Sequence, residues 1–112
     1  MPIQPMLLKE KAMIIYNVTM KVDWSVAQEW LRWMQEIYIP EIIDTGCFEQ
    51  HQFVQLLHVD ETEGPTYAAQ YFAKTLNDYN KYLAQYASGF SNMISNKWGD
   101  KCIAFGTLMK VV

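Results

Sequence analysis

The stretch MIIYNVTMKVDWSVAQEWLRWMQEIY, residues 13–38, changes its hydrophobic period once, at Asp23. Before Asp23 the even positions Ile14, Tyr16, Val18, Met20 and Val22 are all apolar, while the odd positions Met13, Ile15, Asn17, Thr19 and Lys21 pass from apolar to polar. Successive side chains of a strand point to opposite faces, so residues 13–22 read as a strand whose even set faces a core. After Asp23, Val26, Ala27, Trp30, Leu31, Trp33, Met34, Ile37 and Tyr38 recur at i, i+3, i+4 and i+7, with Gln28, Glu29, Arg32, Gln35 and Glu36 opposite them. That is the stripe of an amphipathic helix. Asp23 stands where an N-cap carboxylate accepts from the free N–H groups of a first turn. Pro40 disfavours helical geometry in the residue before it. A break near Ile39 is therefore predicted, with a last turn over residues 41–44 and an end at Gly46.

Working outward, residues 48–59 predict a second strand, long and unusually polar, with Gln50, His51, Gln52, Gln55 and His58. DETEGP, residues 60–65, is the plainest turn in the chain. It joins this strand, as a hairpin, to a third over residues 66–73. Residues 76–96 predict a second helix capped by Thr75 or Asn77, with Leu76, Tyr79, Leu83, Tyr86, Ala87, Phe90 and Ile94 on one stripe. Gly89 inside it costs about 1 kcal/mol relative to alanine and marks a kink or a close contact. Gly99 ends the helix, and residues 101–112 form a last strand rich in Ile, Phe, Leu and Val. The order β-α-β-β-α-β is α+β. Right-handed crossovers arrange it as a ferredoxin-like, four-stranded antiparallel sheet of order 4-1-3-2 with two helices on one face. Residues 13–112 make a single domain. Residues 1–12, with Pro2 and Pro5, read as an N-terminal extension, poorly ordered unless tied down, with Met13 as the native start.

A chain of 112 residues is long enough to bury a core without staples, hiding roughly two-thirds of its unfolded surface. With a net charge of −3, a pI near 5.2 and nine scattered Lys and Arg, it has no basic stripe for phosphates, which argues against nucleic acid and anionic membranes as partners. No signal-peptide core and no run of roughly 18 apolar residues is present, so the reading is a reduced, cytoplasmic protein. Cys47 and Cys102 fit neither a disulfide framework nor a metal spacing. They begin the two strands expected at the sheet edges, too far apart to bridge.

Two helices cover one face of such a sheet. Whichever alternate set the other face takes, it carries large apolar groups: Tyr67 and Tyr71 or Phe72 in the third strand, Ile103, Phe105 and Met109 or Leu108 and Val112 in the fourth. Four or five such side chains leave about 10 kcal/mol of burial unclaimed in a monomer. Stacking two sheets in a two-fold homodimer is the simplest cover, giving a dimeric α/β barrel.

Several segments carry a family resemblance: Met13-Ile14-Ile15-Tyr16-Asn17-Val18-Thr19, Glu29-Trp30-Leu31-Arg32-Trp33-Met34, Ile39-Pro40-Glu41 with Thr45-Gly46, Thr66-Tyr67 with Gln70-Tyr71, and Gly99-Asp100-Lys101 with Ala104-Phe105. They resemble a family of small bacterial proteins known as a domain of unknown function, over about residues 13–112. The resemblance implies the dimeric α/β-barrel group, whose other branches include cofactor-independent monooxygenases, muconolactone isomerases and stress-response proteins. It brings no catalytic residues with it.

The candidate site residues are few. His51 and His58, seven apart, fall on opposite faces of a regular strand and cannot share a metal, so no metal site is expected. One of them would face water and the other the sheet-to-sheet space, where a histidine can serve as a general base. Tyr16, Tyr67 and Tyr71, with Gln70 and Asn17, have the make-up of an aromatic small-molecule pocket with polar anchors. The plainer reading of these tyrosines is core. Two functions follow. One is a homodimeric binding or regulatory module that holds a small apolar molecule or a protein partner in the sheet-lined cavity, with no cofactor. The alternative is a cofactor-independent enzyme, monooxygenase- or isomerase-like, acting on a small aromatic or apolar compound. An RNA-recognition role would need basic strands, and the third strand has none.

Overall fold

The structure, a computed structural model, describes residues 14–112; the expected N-terminal extension over residues 1–12 and the start at Met13 lie outside the described residues. Strand β1 (Ile14–Val22) buries Ile14, Met20 and Val22 and packs Tyr16 and Val18 against the same core, so its even set does face the helices. It pairs antiparallel with β3 (Thr66–Ala73) along one edge and with β4 (Cys102–Lys110) along the other. Strand β2 (Gln50–Gln55) pairs antiparallel with β3, which gives the order β2-β3-β1-β4. The expected ferredoxin-like sheet is the observed one.

The first helical run departs from expectation at both ends. The side chain of Asp23 does not cap the helix. Its Oδ1 accepts from the Ser25 N–H at 2.9 Å and the Ser25 hydroxyl at 2.7 Å, closing a turn, and helix α1 (Ala27–Trp33) starts after it. Nor does the chain break at Ile39. The run continues through a π-helical turn (Met34–Tyr38) into α2 (Ile39–Ile43), and Ile39 stays helical at φ −63°, ψ −45°. The Ile39 N–H reaches the Met34 carbonyl five residues back, which widens the turn ahead of Pro40. Pro40 then falls in the first turn of α2, where no N–H is required of it. Gly46, at φ +79°, follows the end of this run.

Strand β2 is shorter than its polar run suggested. The ladder ends near Leu56, whose N–H donates to the Thr66 carbonyl at 2.9 Å, and His58 turns away at φ +59°. The following loop crosses the end of β1. The Val22 N–H donates to the Pro65 carbonyl at 3.0 Å and the Trp24 N–H to the Glu63 carbonyl at 3.1 Å. Gly64 is therefore obligatory: at φ +154°, an added Cβ would lie 1.7 Å from the Val22 carbonyl oxygen.

The second helical region is two helices, α3 (Leu76–Gln85) and α4 (Ala87–Trp98), parted at Tyr86 with φ −127°. The break is not at Gly89, whose missing Cβ faces open space. Thr75 is the cap, its hydroxyl accepting from the Asp78 N–H at 3.1 Å. The buried stripe of α3 is also one residue off expectation. Tyr82 is buried, while Leu76 and Leu83 face outward. The core between helices and sheet is closed by Trp30, Met34, Tyr71, Met20, Ile42 and Val22, each fully buried. Hiding each large side chain is worth about 1.5–3 kcal/mol. No helix among the described residues is long and apolar enough to cross a membrane.

Replacing Gly64 by alanine should lower stability by about 2–4 kcal/mol in urea titrations, because backbone rather than a mobile side chain occupies the site. An unchanged midpoint would show that the loop need not lie against Val22.

Candidate functional site

Register assigns every strand residue to a face. Residues opposite Tyr16, Val18 and Met20 share the helix side: Tyr71, Ala69 and Tyr67 in β3, and Leu108, Gly106 and Ala104 in β4. The β3 members of this set are covered by the helices. On the β1–β4 side the cover is incomplete, and a cavity of about 230 Å³ opens between sheet and helices. Its floor is Tyr16, Val18, Met20, Tyr71 and the β4 segment 104–106; its roof is Tyr38 and Ile42 from the first helical run, Tyr82 from α3, and Ala87, Ser91 and Ile94 from α4.

Small side chains make the space. Ala104 and Gly106 leave the β4 wall thin, and a Cβ on Gly106 would meet the Tyr16 ring at 3.0 Å. Tyr16 leans over that glycine into a cluster of rings, 6.2 Å from Tyr71 and 5.9 Å from Tyr82 between centroids. Phe48 stands 5.3 Å from Tyr71 and 5.0 Å from Tyr82 and backs the same cluster. The Tyr38 hydroxyl donates to the Phe90 carbonyl at 3.0 Å, tying the π-turn to α4.

Burial raises the Tyr16, Tyr38, Tyr71 and Tyr82 phenols above their ordinary pKa of 10.0, and neighbouring tyrosines add to it. A phenolate in this cluster would be both desolvated and next to other phenols. The rings are thus protonated hydrogen-bond donors at neutral pH. Burial likewise pushes the Cys102 thiol up to about 11, which makes it a poor nucleophile. Cys47 and Cys102 are both free. No cluster of three or more His, Cys, Asp or Glu that could hold a metal occurs among the described residues.

The seven residues singled out from sequence do not gather at one site, although Tyr16 and Tyr71 meet at the cavity and Asn17 and Gln70 meet on the opposite face. Tyr71 lines the cavity. Tyr67 lies on the same face but stacks with Trp30 and Phe53, at 5.2 and 5.6 Å. His51 is exposed on the edge strand β2, opposite Tyr71 in register, and His58 is exposed beyond that strand. By register His51 points to the helix side of the sheet, and His58 has left the ladder. Asn17 and Gln70 project from the other face. There the Gln52 amide N–H donates to Gln70 Oε1 at 3.1 Å, Gln70 to Asn17 Oδ1 at 3.2 Å, and Asn17 to Thr19 Oγ1 at 3.1 Å. Sequence reasoning missed Tyr38, Tyr82 and Gly106. The i, i+3, i+7 spacing of Tyr79, Tyr82 and Tyr86 was the signal for the second.

The family model for a domain of unknown function, DUF4286, matches residues 13–112, and the chain belongs to that family. No curated protein matches. Among solved structures, the chain is similar to a dimeric ferredoxin-like protein from an uncultured marine organism, at 10% identity and TM-score 0.63, covering 91% of this chain and 97% of that one. It is also similar to SnoaB, a cofactor-independent oxygenase from Streptomyces nogalater, at 13% identity and TM-score 0.62, covering 89% and 94%. A monooxygenase from the gene ActVA-Orf6 of Streptomyces coelicolor, in complex with nanaomycin D, is a third, at 11% identity and TM-score 0.61, covering 96% and 95%. At these identities the likeness is one of fold.

The buried phenols set an alkaline limit. Below pH 10 they are protonated in both folded and unfolded chains and add no pH dependence. Above it the unfolded chain ionises while the fold resists, so stability should fall steadily from about pH 10 upward. Phenolate absorbance should rise together with the loss of helical circular dichroism. Full ionisation of the tyrosines with the helices intact would show that these rings are solvated.

Proposed function

We propose that this DUF4286 protein is a homodimeric binding module that holds a small, largely apolar molecule in the cavity between helices and sheet of each protomer. The observation that carries the reading is the cavity itself. It is about 230 Å³, lined mainly by aromatic and aliphatic residues, with the tyrosines, Ser91 and the β4 backbone at Gly106 contributing its polar surface. Apolar walls with a few convergent polar groups are the usual constitution of a small-molecule site, and the volume, below the common range of about 300–1,000 Å³, suits a single ring. None of the described residues lining it is an imidazole, carboxylate or amine that could move a proton near neutral pH. The oxygenase neighbours share the fold alone, so binding is the better-supported reading.

A second copy is the occupant that fits the opposite face of the sheet. That face carries Ile15, Phe72, Met109, Ile103, Phe105 and Val54, and Ile103 and Phe105 are 64% and 62% exposed. Hiding those last two alone would contribute about 2–4 kcal/mol. The polar groups between them do not oppose this. Thr107, Asn17, Gln70 and Gln52 align across all four strands as one rung, and its amides already satisfy one another. A rung already paired along its length leaves fewer donors to satisfy on burial. The similar ferredoxin-like protein from an uncultured marine organism is dimeric, which supports a dimer here.

Two measurements test the reading. Saturating ethylbenzene should stabilise the protein against heat, by about 2.7 kcal/mol at a hundredfold excess over its Kd, and Ala87→Phe, which fills the cavity, should remove the effect. Equal stabilisation of the variant would place the ligand elsewhere. Light scattering should give a dimer for the full chain and for a chain lacking residues 2–12, and a monomer for Phe105→Glu with unchanged helical content. A monomeric full chain, or a dimeric F105E, would remove this sheet face as the interface. Dimerisation lost on removing residues 2–12 would assign the cover to that segment.

A further inference from the structure

We infer that the cavity selects an uncharged ligand bearing a hydrogen-bond-accepting oxygen, a ketone or aldehyde carbonyl on a single ring, received by the hydroxyls of Tyr71 and Tyr82. The inference rests on the cavity reading above and narrows it to a ligand class.

The four cavity tyrosines are not equivalent. Tyr38 already donates to the Phe90 carbonyl. Among the described residues, the Tyr71 and Tyr82 hydroxyls have no protein acceptor, yet these side chains are only 1% and 3% exposed and both line the cavity. A phenol has one proton to donate and lone pairs that tolerate neglect, so the unmet need is for an acceptor. Neither hydroxyl is a sealed-off orphan, so each is free to donate into the cavity to an acceptor that a ligand brings.

Charge narrows the class further. No Lys, Arg or His lines the cavity to balance an anion, and no Asp or Glu lines it to balance a cation. Either ion would find no oppositely charged side chain there. A neutral carbonyl on an aromatic ring fits both conditions: the oxygen takes the phenolic protons, and the ring lies among Tyr16, Val18 and Ile94.

The test compares acetophenone with ethylbenzene, which has nearly the same shape and no oxygen, and with benzoate and benzylamine, by calorimetry on the intact protein. Acetophenone should bind about tenfold tighter than ethylbenzene, with benzoate and benzylamine weaker than both. Tyr71→Phe and Tyr82→Phe should each narrow that preference, and the double variant should abolish it while still binding ethylbenzene. Retained ethylbenzene binding also reports that the variants are folded. If ethylbenzene binds the wild type as tightly as acetophenone, or the Phe variants keep the preference, the ligand class is wrong and the cavity reading stands. Tightest binding of benzoate or benzylamine overturns the class in the same way. If none of the four binds, the cavity reading fails and this inference with it.

Discussion

Strand β1 is hydrogen-bonded along both edges, and a pleated strand so held cannot rotate its side chains from one face to the other. Every other feature of the molecule follows from how its nine residues are divided. Ile14, Tyr16, Val18, Met20 and Val22 look toward the helices and make the core and the cavity floor. Ile15, Asn17, Thr19 and Lys21 look the other way and set the character of the uncovered face. A slip of one residue would exchange these sets, putting Asn17 and Lys21 into the core. The sequence forbids it.

That division was legible before any coordinates, because period-two alternation is a direct consequence of strand geometry. The same holds for β3, whose limits were read to the residue, and for the sheet order, which follows from connection handedness. What escaped the sequence were features decided by packing between elements. Tyr82 and Leu83 both fit a helical stripe through Tyr79 and Tyr86, and only the ring cluster around Tyr16 and Phe48 decides that Tyr82 turns inward. The break expected near Ile39, ahead of Pro40, was an argument about a regular α-helix, and a π-turn is another solution to the same constraint. His51 and His58 drew attention as chemistry-bearing residues, but a polar run does not say where a ladder stops, and here it stops before His58.

The site was half legible for a related reason. Aromatic residues at strand positions announce an aromatic face, which made Tyr16 and Tyr71 candidates, but alternation left open which side of the sheet Tyr71 takes, and only the register places it beside Tyr16. Whether such a face closes into solid core or leaves a void depends on the smallest residues opposite. Gly106 and Ala104, unremarkable in a list of strand residues, are what keep the β4 wall from filling the space beside Tyr16. A glycine in a strand usually weakens it, and here its missing side chain is replaced by a ring from the neighbouring strand.

The two faces are not independent, because β4 serves both. It is an edge strand, held in the sheet by β1 alone, and most of its length is exposed. Ala104 and Gly106 face the cavity while Phe105, between them, points to the opposite side and stands largely in solvent. A strand with so little packing on either side has few contacts resisting local opening. Packing on Phe105 from outside the protomer would therefore brace the same three residues that wall the cavity.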